Sequence, residues 1–166
     1  MRRPVYLSIS LAIIVADWIT KLLVVRKFAL YDSRPVIDGF FHLVYVRNTG
    51  AAFGLGANSG NSLVPFLLNG GAITIFFAVA FIAFRSPLTE TRLQAGLHLI
   101  LGGAVGNLID RFRLGYVIDF LDFFVVVDGK PYHWPAFNVA DSAICVGIVL
   151  LLLDMWRKPE PSEAKA

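Results

Sequence analysis

A chain of 166 residues has room for one domain. Of these residues 57% are hydrophobic and only 16% charged, with a mean hydropathy of +0.67. Soluble domains carry about 45–50% apolar and about 25% charged residues, so the composition is that of a membrane protein. The net charge of +3, with basic residues scattered along the chain, leaves no footprint for nucleic acid, and the single cysteine, Cys145, excludes an intrachain disulfide or a cysteine-based metal cluster.

A bilayer core of about 30 Å takes roughly 20 apolar residues in a helix. The first run that fits covers residues 4–25, after Arg2 and Arg3. A basic start before an apolar stretch is also how a secretory signal begins. No small-x-small cleavage site follows, however, and the run continues past Asp17 and Lys21, so it reads as an uncleaved helix. Asp17 and Lys21 stand at i and i+4 with the acid first, the better order for an ion pair on one helix face. They read as a structural pair.

Residues 26–62 contain more than loop. The stretch from Gly39 to Asn48 is rich in aromatic and β-branched residues and predicts a strand, with Asp32 and Pro35 punctuating a small sheet before it. The glycine-rich 51–61 segment reads as a loop or a short interfacial helix. A second apolar run covers 63–84, and the polar 85–92 makes a tight turn.

The third run, 93–109, extends through Asp110 and Arg111. Gly102 and Gly106 give it a small-xxx-small surface for close helix packing. Asn107 and Arg111 share a face, and Asp110 reads as an interhelical hydrogen-bonding residue. In 112–135, the apolar stretch 119–127 reads as a strand or lip, followed by an Asp128-Gly129 turn. The fourth run covers 136–153 and reaches to Trp156, with a polar tail at 157–166.

A charge within a membrane helix costs at least about 2.5–3.5 kcal/mol, so such residues are candidates for function. Asp141 has no basic neighbour in sequence, and a lone carboxylate in apolar surroundings keeps its proton unless a partner is close. Asp119 is the natural partner and Asp122 its rival. Two carboxylates sharing one proton suit aspartic peptidase chemistry: one takes a proton from water, the other activates the scissile carbonyl. Two acids in a membrane also suit a small proton-coupled transporter or channel subunit, with Asp17, Asp119 and Asp141 as relays, although a relay wants acids staggered through the membrane. Other schemes fare worse. His42, His98 and His133 lack zinc spacing. Cys145 has no nearby histidine, and Ser142 has no base in its own segment.

Five segments in order, Asp17-Trp-Ile-Thr-Lys21, Arg47-Asn-Thr-Gly-Ala-Ala-Phe-Gly54, Gly106-Asn-Leu-Ile-Asp-Arg111, Val117-Ile-Asp-Phe120 and Phe137-Asn-Val-Ala-Asp141, together resemble the bacterial lipoprotein signal peptidase (signal peptidase II) family. The resemblance fills almost the whole chain. It implies an all-α integral membrane fold of four transmembrane helices with a small extracytoplasmic β-cradle and a short periplasmic helix. It implies a catalytic pair at Asp119 and Asp141, and substrate contacts at Asn48, Asn107, Arg111 and Asn138. Asp17, Lys21, Gly50, Asp110 and Ala140 match structural positions near the site. The expected substrate is a diacylglyceryl-modified prolipoprotein, cut before its lipidated cysteine. The expected enzyme is monomeric, takes no metal or other cofactor, and lies in the bacterial cytoplasmic membrane among its lipids. Residues 1–166 form one domain, with helices at about 4–25, 63–84, 93–111 and 136–156 and with 26–62 and 112–135 outside. Both termini are expected in the cytoplasm, although the lysine and arginine counts of the two sides nearly tie.

Overall fold

The computed structural model describes residues 3–50 and 63–156. The loop or short interfacial helix expected at 51–61 and the polar tail at 157–166 lie outside the described residues.

Among the described residues four helices and four strands follow in the order α1 (Arg3–Lys27), β1 (Ser33–Ile37), β2 (Phe41–Asn48), α2 (Leu63–Arg85), α3 (Thr91–Leu114), β3 (Val117–Val127), β4 (Lys130–His133) and α4 (Val139–Met155). α3 is the central helix and packs against the other three. At one pole of the bundle Tyr6 Oη donates to the Leu88 carbonyl (3.1 Å), and Gln94 Nε2 donates to the carbonyls of Ala83 and Ser86. These bonds tie the start of α1 and of α3 to the turn after α2. Gly96 in the first turns of α3 meets Gly147 and Leu151 of α4, so the C-terminal half of α4 points to the same pole.

The sheet caps the opposite pole. Its order is β1-β2-β3-β4, antiparallel throughout, with Val46 opposite Asp119 and Asn48 opposite Val117. Val24 from the end of α1 packs with Tyr45, Ile118 and Phe120 in a core beneath the sheet. The expected Asp128-Gly129 turn is present, with φ of 51° and 72°, the left-handed pair that a two-residue hairpin requires.

Close helix approach depends on small residues. A Cβ on Gly103 would run into the Ala140 carbonyl oxygen, and one on Gly106 would stand 2.7 Å from Asp17 Oδ2. Gly103 is the tighter position, and it lies one residue after Gly102, between the two glycines that spacing singles out.

Helix bounds shift by three residues in two places. α3 extends three residues past Arg111, to Leu114, and closes on Gly115 in the left-handed conformation. α4 begins at Val139 and not at 136, because Asn138 is extended and caps it (Asp141 N to Asn138 Oδ1, 2.9 Å). Phe137 instead binds the sheet: its carbonyl accepts from Phe120 N and Leu121 N, and its N donates to Leu121 O.

The distribution of polarity is inverted relative to a water-soluble bundle. Leu11, Val15, Ile19, Ile75, Phe77, Phe81, Val149 and Leu152 are exposed, whereas Asp17, Lys21, Gln94, Asn107 and Asn138 are buried. Outward apolar and inward polar side chains suit helices solvated by lipid. By length and composition α1 can cross a membrane, and the Gly70–Arg85 part of α2 is a shorter apolar stretch.

Candidate active site

The expected polar residues converge where the sheet meets α1, α3 and α4. Asn138 sits at the centre, fully buried. Its Oδ1 caps α4 at Asp141 N, while its Nδ2 faces Asp119 Oδ1 (2.8 Å), Asn107 Oδ1 (3.1 Å) and the Ile118 carbonyl (3.3 Å). Asn107 turns its own Nδ2 to Asp141 Oδ1 (2.7 Å). Asn48, from the end of β2, donates to Asp119 Oδ2 (3.0 Å) and accepts from Gly50 N (3.0 Å). Two amides, Asn107 and Asn138, therefore link the carboxylates of Asp119 and Asp141. Their orientation is fixed: Asn107 Oδ1 takes donors from both Asn138 and Lys21, so only its NH₂ can face Asp141.

Lys21 is the strut behind this layer. Its ammonium has three protons and three partners: Asp17 Oδ2 and Asp110 Oδ2, each at 2.8 Å, and Asn107 Oδ1 at 3.2 Å. Asp17 also accepts from Ala140 N (3.0 Å), and Asp110 accepts from Ile118 N (3.2 Å). The i,i+4 pair read from the sequence is thus part of a buried group that joins α1, α3, α4 and β3.

A cavity of about 500 Å³ opens beside the carboxylates. Asn48, Asn107, Arg111, Asp141 and Ser142 form its polar end, and Ile144, Cys145 and Val146 an apolar side. Asp119 is 2% exposed and stands behind Asn48, whereas Asp141 fronts the cavity. Burial, then the neighbouring Asp141 charge, push the Asp119 carboxyl up to about 7, against the two amide bonds that favour its charged form.

The rival acid is placed elsewhere. Asp122 binds His133 Nδ1 (2.9 Å) and clasps β4 to β3. His98 binds its own helix at the Gln94 carbonyl (2.9 Å) and packs beside the Tyr6 ring. Sequence reasoning missed the cavity wall formed by residues 134–137. The only signal for it is Pro135, which ends the hairpin and turns the chain back over β3.

The same arrangement of helices and sheet recurs in two solved structures of bacterial membrane enzymes. One is 29% identical with a TM-score of 0.77, covering 96% of this chain and 94% of the other; the second is 25% identical, also at 0.77, covering 94% and 95%. The fold is that of a membrane enzyme. The chain belongs to the signal peptidase II family, membrane peptidases of lipoprotein processing, whose family model, described as "Signal peptidase (SPase) II", matches residues 9–157. Its relatives include the lipoprotein signal peptidases of Syntrophotalea carbinolica (49% identical, covering 92% of this chain and 91% of the relative) and Geobacter sulfurreducens (48%, covering 93% and 92%). That of Geobacter metallireducens is 52% identical over 87% of this chain and 85% of its own.

Proposed function

We propose that this protein is an aspartic endopeptidase that removes the signal peptide from diacylglyceryl-modified prolipoproteins, cutting before the lipidated cysteine with Asp119 and Asp141 as its acid–base pair. The observation that carries this reading is the link between the two acids. Asn138 and Asn107 link them beside one cavity, with Asp141 in its wall and Asp119 behind Asn48, and one of the two is set up to keep its proton.

Roles follow from placement. Asp141 fronts the cavity, where water arrives, and acts as the base that takes a proton from the attacking water. Asp119, drier and protonated below about pH 7, donates to the scissile carbonyl and later supports the leaving amine. Asn48, Asn107 and Arg111 line the path of the peptide and hold its backbone extended, supplying orientation. The transporter alternative has less support, because the acids gather around shared amides at one pole and are not staggered through the bundle.

The chain is one domain of four membrane spans, α1 to α4. The outward apolar side chains support this, as does the shared pole of the N-terminus, the α2–α3 turn and the end of α4. In this arrangement both termini are cytoplasmic and the sheet lies outside as the β-cradle. The enzyme works as a monomer in the cytoplasmic membrane.

The direct test presents the purified protein with a diacylated prolipoprotein in detergent micelles. Release of the signal peptide is expected, and a folded protein that releases none overturns the reading. The rate should also depend on pH with a defined sign. As pH rises through about 7, Asp119 loses the proton that polarises the carbonyl, so kcat falls roughly tenfold per pH unit above that point. A rate that keeps climbing to pH 9 contradicts a protonated Asp119.

Arg111→Lys separates positioning from chemistry. Lysine keeps the charge but lacks the planar fork that can hold two backbone acceptors. Weaker substrate use is expected, with KM raised more than kcat is lowered. Kinetics indistinguishable from the parent remove the clamp role.

A further inference from the structure

Pairing between β2 and β3 ends at Phe41 and Phe123. Phe124 N still donates to the Phe40 carbonyl (2.9 Å); beyond it residues 125–127 pair only with residues 130–132 among the described residues, so the sheet continues as a two-stranded ribbon. Strand residues alternate between faces. Val125 and Val127, opposite Tyr132 and Lys130, point to one side, and Val126, opposite Pro131, points to the other. Val125, Val126 and Val127 are 53%, 51% and 52% exposed, and Tyr132 is 59% exposed. The ribbon therefore shows apolar side chains on both faces.

A folded partner lies against one face of a ribbon, whereas a surrounding medium covers both. Water is a poor medium for a run of exposed valines on a free sheet end, which would invite aggregation. Hydrocarbon is also a poor medium. The outer edge of β4 has backbone groups without a strand partner among the described residues, and the turn carries Asp128 and Lys130. The headgroup layer of a bilayer supplies both the apolar contact and the hydration, and tyrosine side chains favour that depth.

We propose that the 125–132 hairpin is seated in the phospholipid headgroup layer with both faces immersed. It anchors the sheet and, through residues 134–137, which line the cavity, it sets the height of the cavity mouth relative to the membrane. Asp128 and Lys130 offset each other at the turn, so the seat takes zwitterionic phospholipid and does not depend on anionic lipid.

The test places single cysteines at Val125 and Val126, on opposite faces, in the full chain with Cys145 replaced by alanine. Each variant is spin-labelled and reconstituted into phosphatidylcholine vesicles. Power saturation then compares accessibility to oxygen and to a water-soluble nickel chelate. Reference labels sit at Thr89, in the exposed polar turn, and at Phe77, on the apolar outer side of α2. Both hairpin labels should lose nickel accessibility relative to Thr89 and fall between the two references, with no change when phosphatidylglycerol is added. Either label matching Thr89 overturns the proposal. So does one label in lipid with the other shielded from both reagents, which is the signature of a protein partner or second copy. Deeper insertion on adding phosphatidylglycerol overturns the charge-neutral seat. None of these readings depends on catalysis, so failure here leaves the peptidase assignment standing.

Discussion

Asp119→Asn and Asp141→Asn should each abolish cleavage in a protein that remains folded and inserted. Asparagine keeps the volume and most of the hydrogen-bonding capacity of the carboxyl, so neither change opens a cavity between β3, α3 and α4. At position 119 the acceptor oxygen can still take the Asn138 donor, and at 141 it can still take the Asn107 donor. The change removes the ability to accept or donate a proton at the reacting atoms. One general acid or base is worth about 10²–10⁴ in rate, and losing the base that activates water should reach the top of that range. The two acids act as a unit, so the double variant should be little slower than either single one. Asp122→Asn serves as the control. Its partner is His133, so signal-peptide release should continue at a rate comparable to the parent. Release at close to the parental rate by either single dyad variant sinks the assignment, and so does an Asp122→Asn enzyme as inactive as they are.

The contrast between Asp119 and Asp122 also shows what could be read from the sequence. The two lie three residues apart, an odd spacing. Once 117–127 is a strand, they must point to opposite sides of the sheet. One therefore faces the helices and the other the hairpin. Periodicity alone could not choose between strand and lip, so the choice of Asp119 came from the resemblance of the surrounding motif. Asn138 was legible in a different way. An asparagine three residues before an acid at the start of an apolar run is an N-cap signal, and reading it so places the first turn of α4 at Val139. Taking the apolar run alone puts the helix start too early, at 136.

Other features had no local signature. Asp17 and Lys21 pair by helical spacing, but nothing in their neighbourhood indicates that the same ammonium binds Asp110, 89 residues later, or the Asn107 amide. The Phe137 bridge to β3 rests on backbone groups and leaves no mark in composition. Nothing in the sequence sets Gly103 apart from its neighbour Gly102. The two face different helices, α4 and α1, and only the packed bundle separates them.

The largest stability effect is expected at Lys21. In Lys21→Met the chain length is kept and the cation lost, which leaves Asp17, 1% exposed, and Asp110, 9% exposed, side by side without their shared partner. Removing one member of a buried ion group costs about 3–5 kcal/mol, because the remaining charge has neither water nor a counter-ion. Both carboxylates retain a backbone donor, Ala140 N for Asp17 and Ile118 N for Asp110, and these bonds support single groups but not the repulsion between two acids. Adding Asp17→Asn to Lys21→Met should recover part of the loss. Asparagine can still accept from Ala140 N, and one of the two uncompensated charges is gone. The two substitutions are thus coupled, and their combined effect should be smaller than the sum of the separate ones. Unfolding of the detergent-solubilised protein, followed by circular dichroism against increasing SDS, measures all three variants on one scale. If Lys21→Met unfolds at the parental midpoint, or if the double variant is as unstable as the two single losses added together, the buried Asp17–Lys21–Asp110 group does not hold α1 against α3.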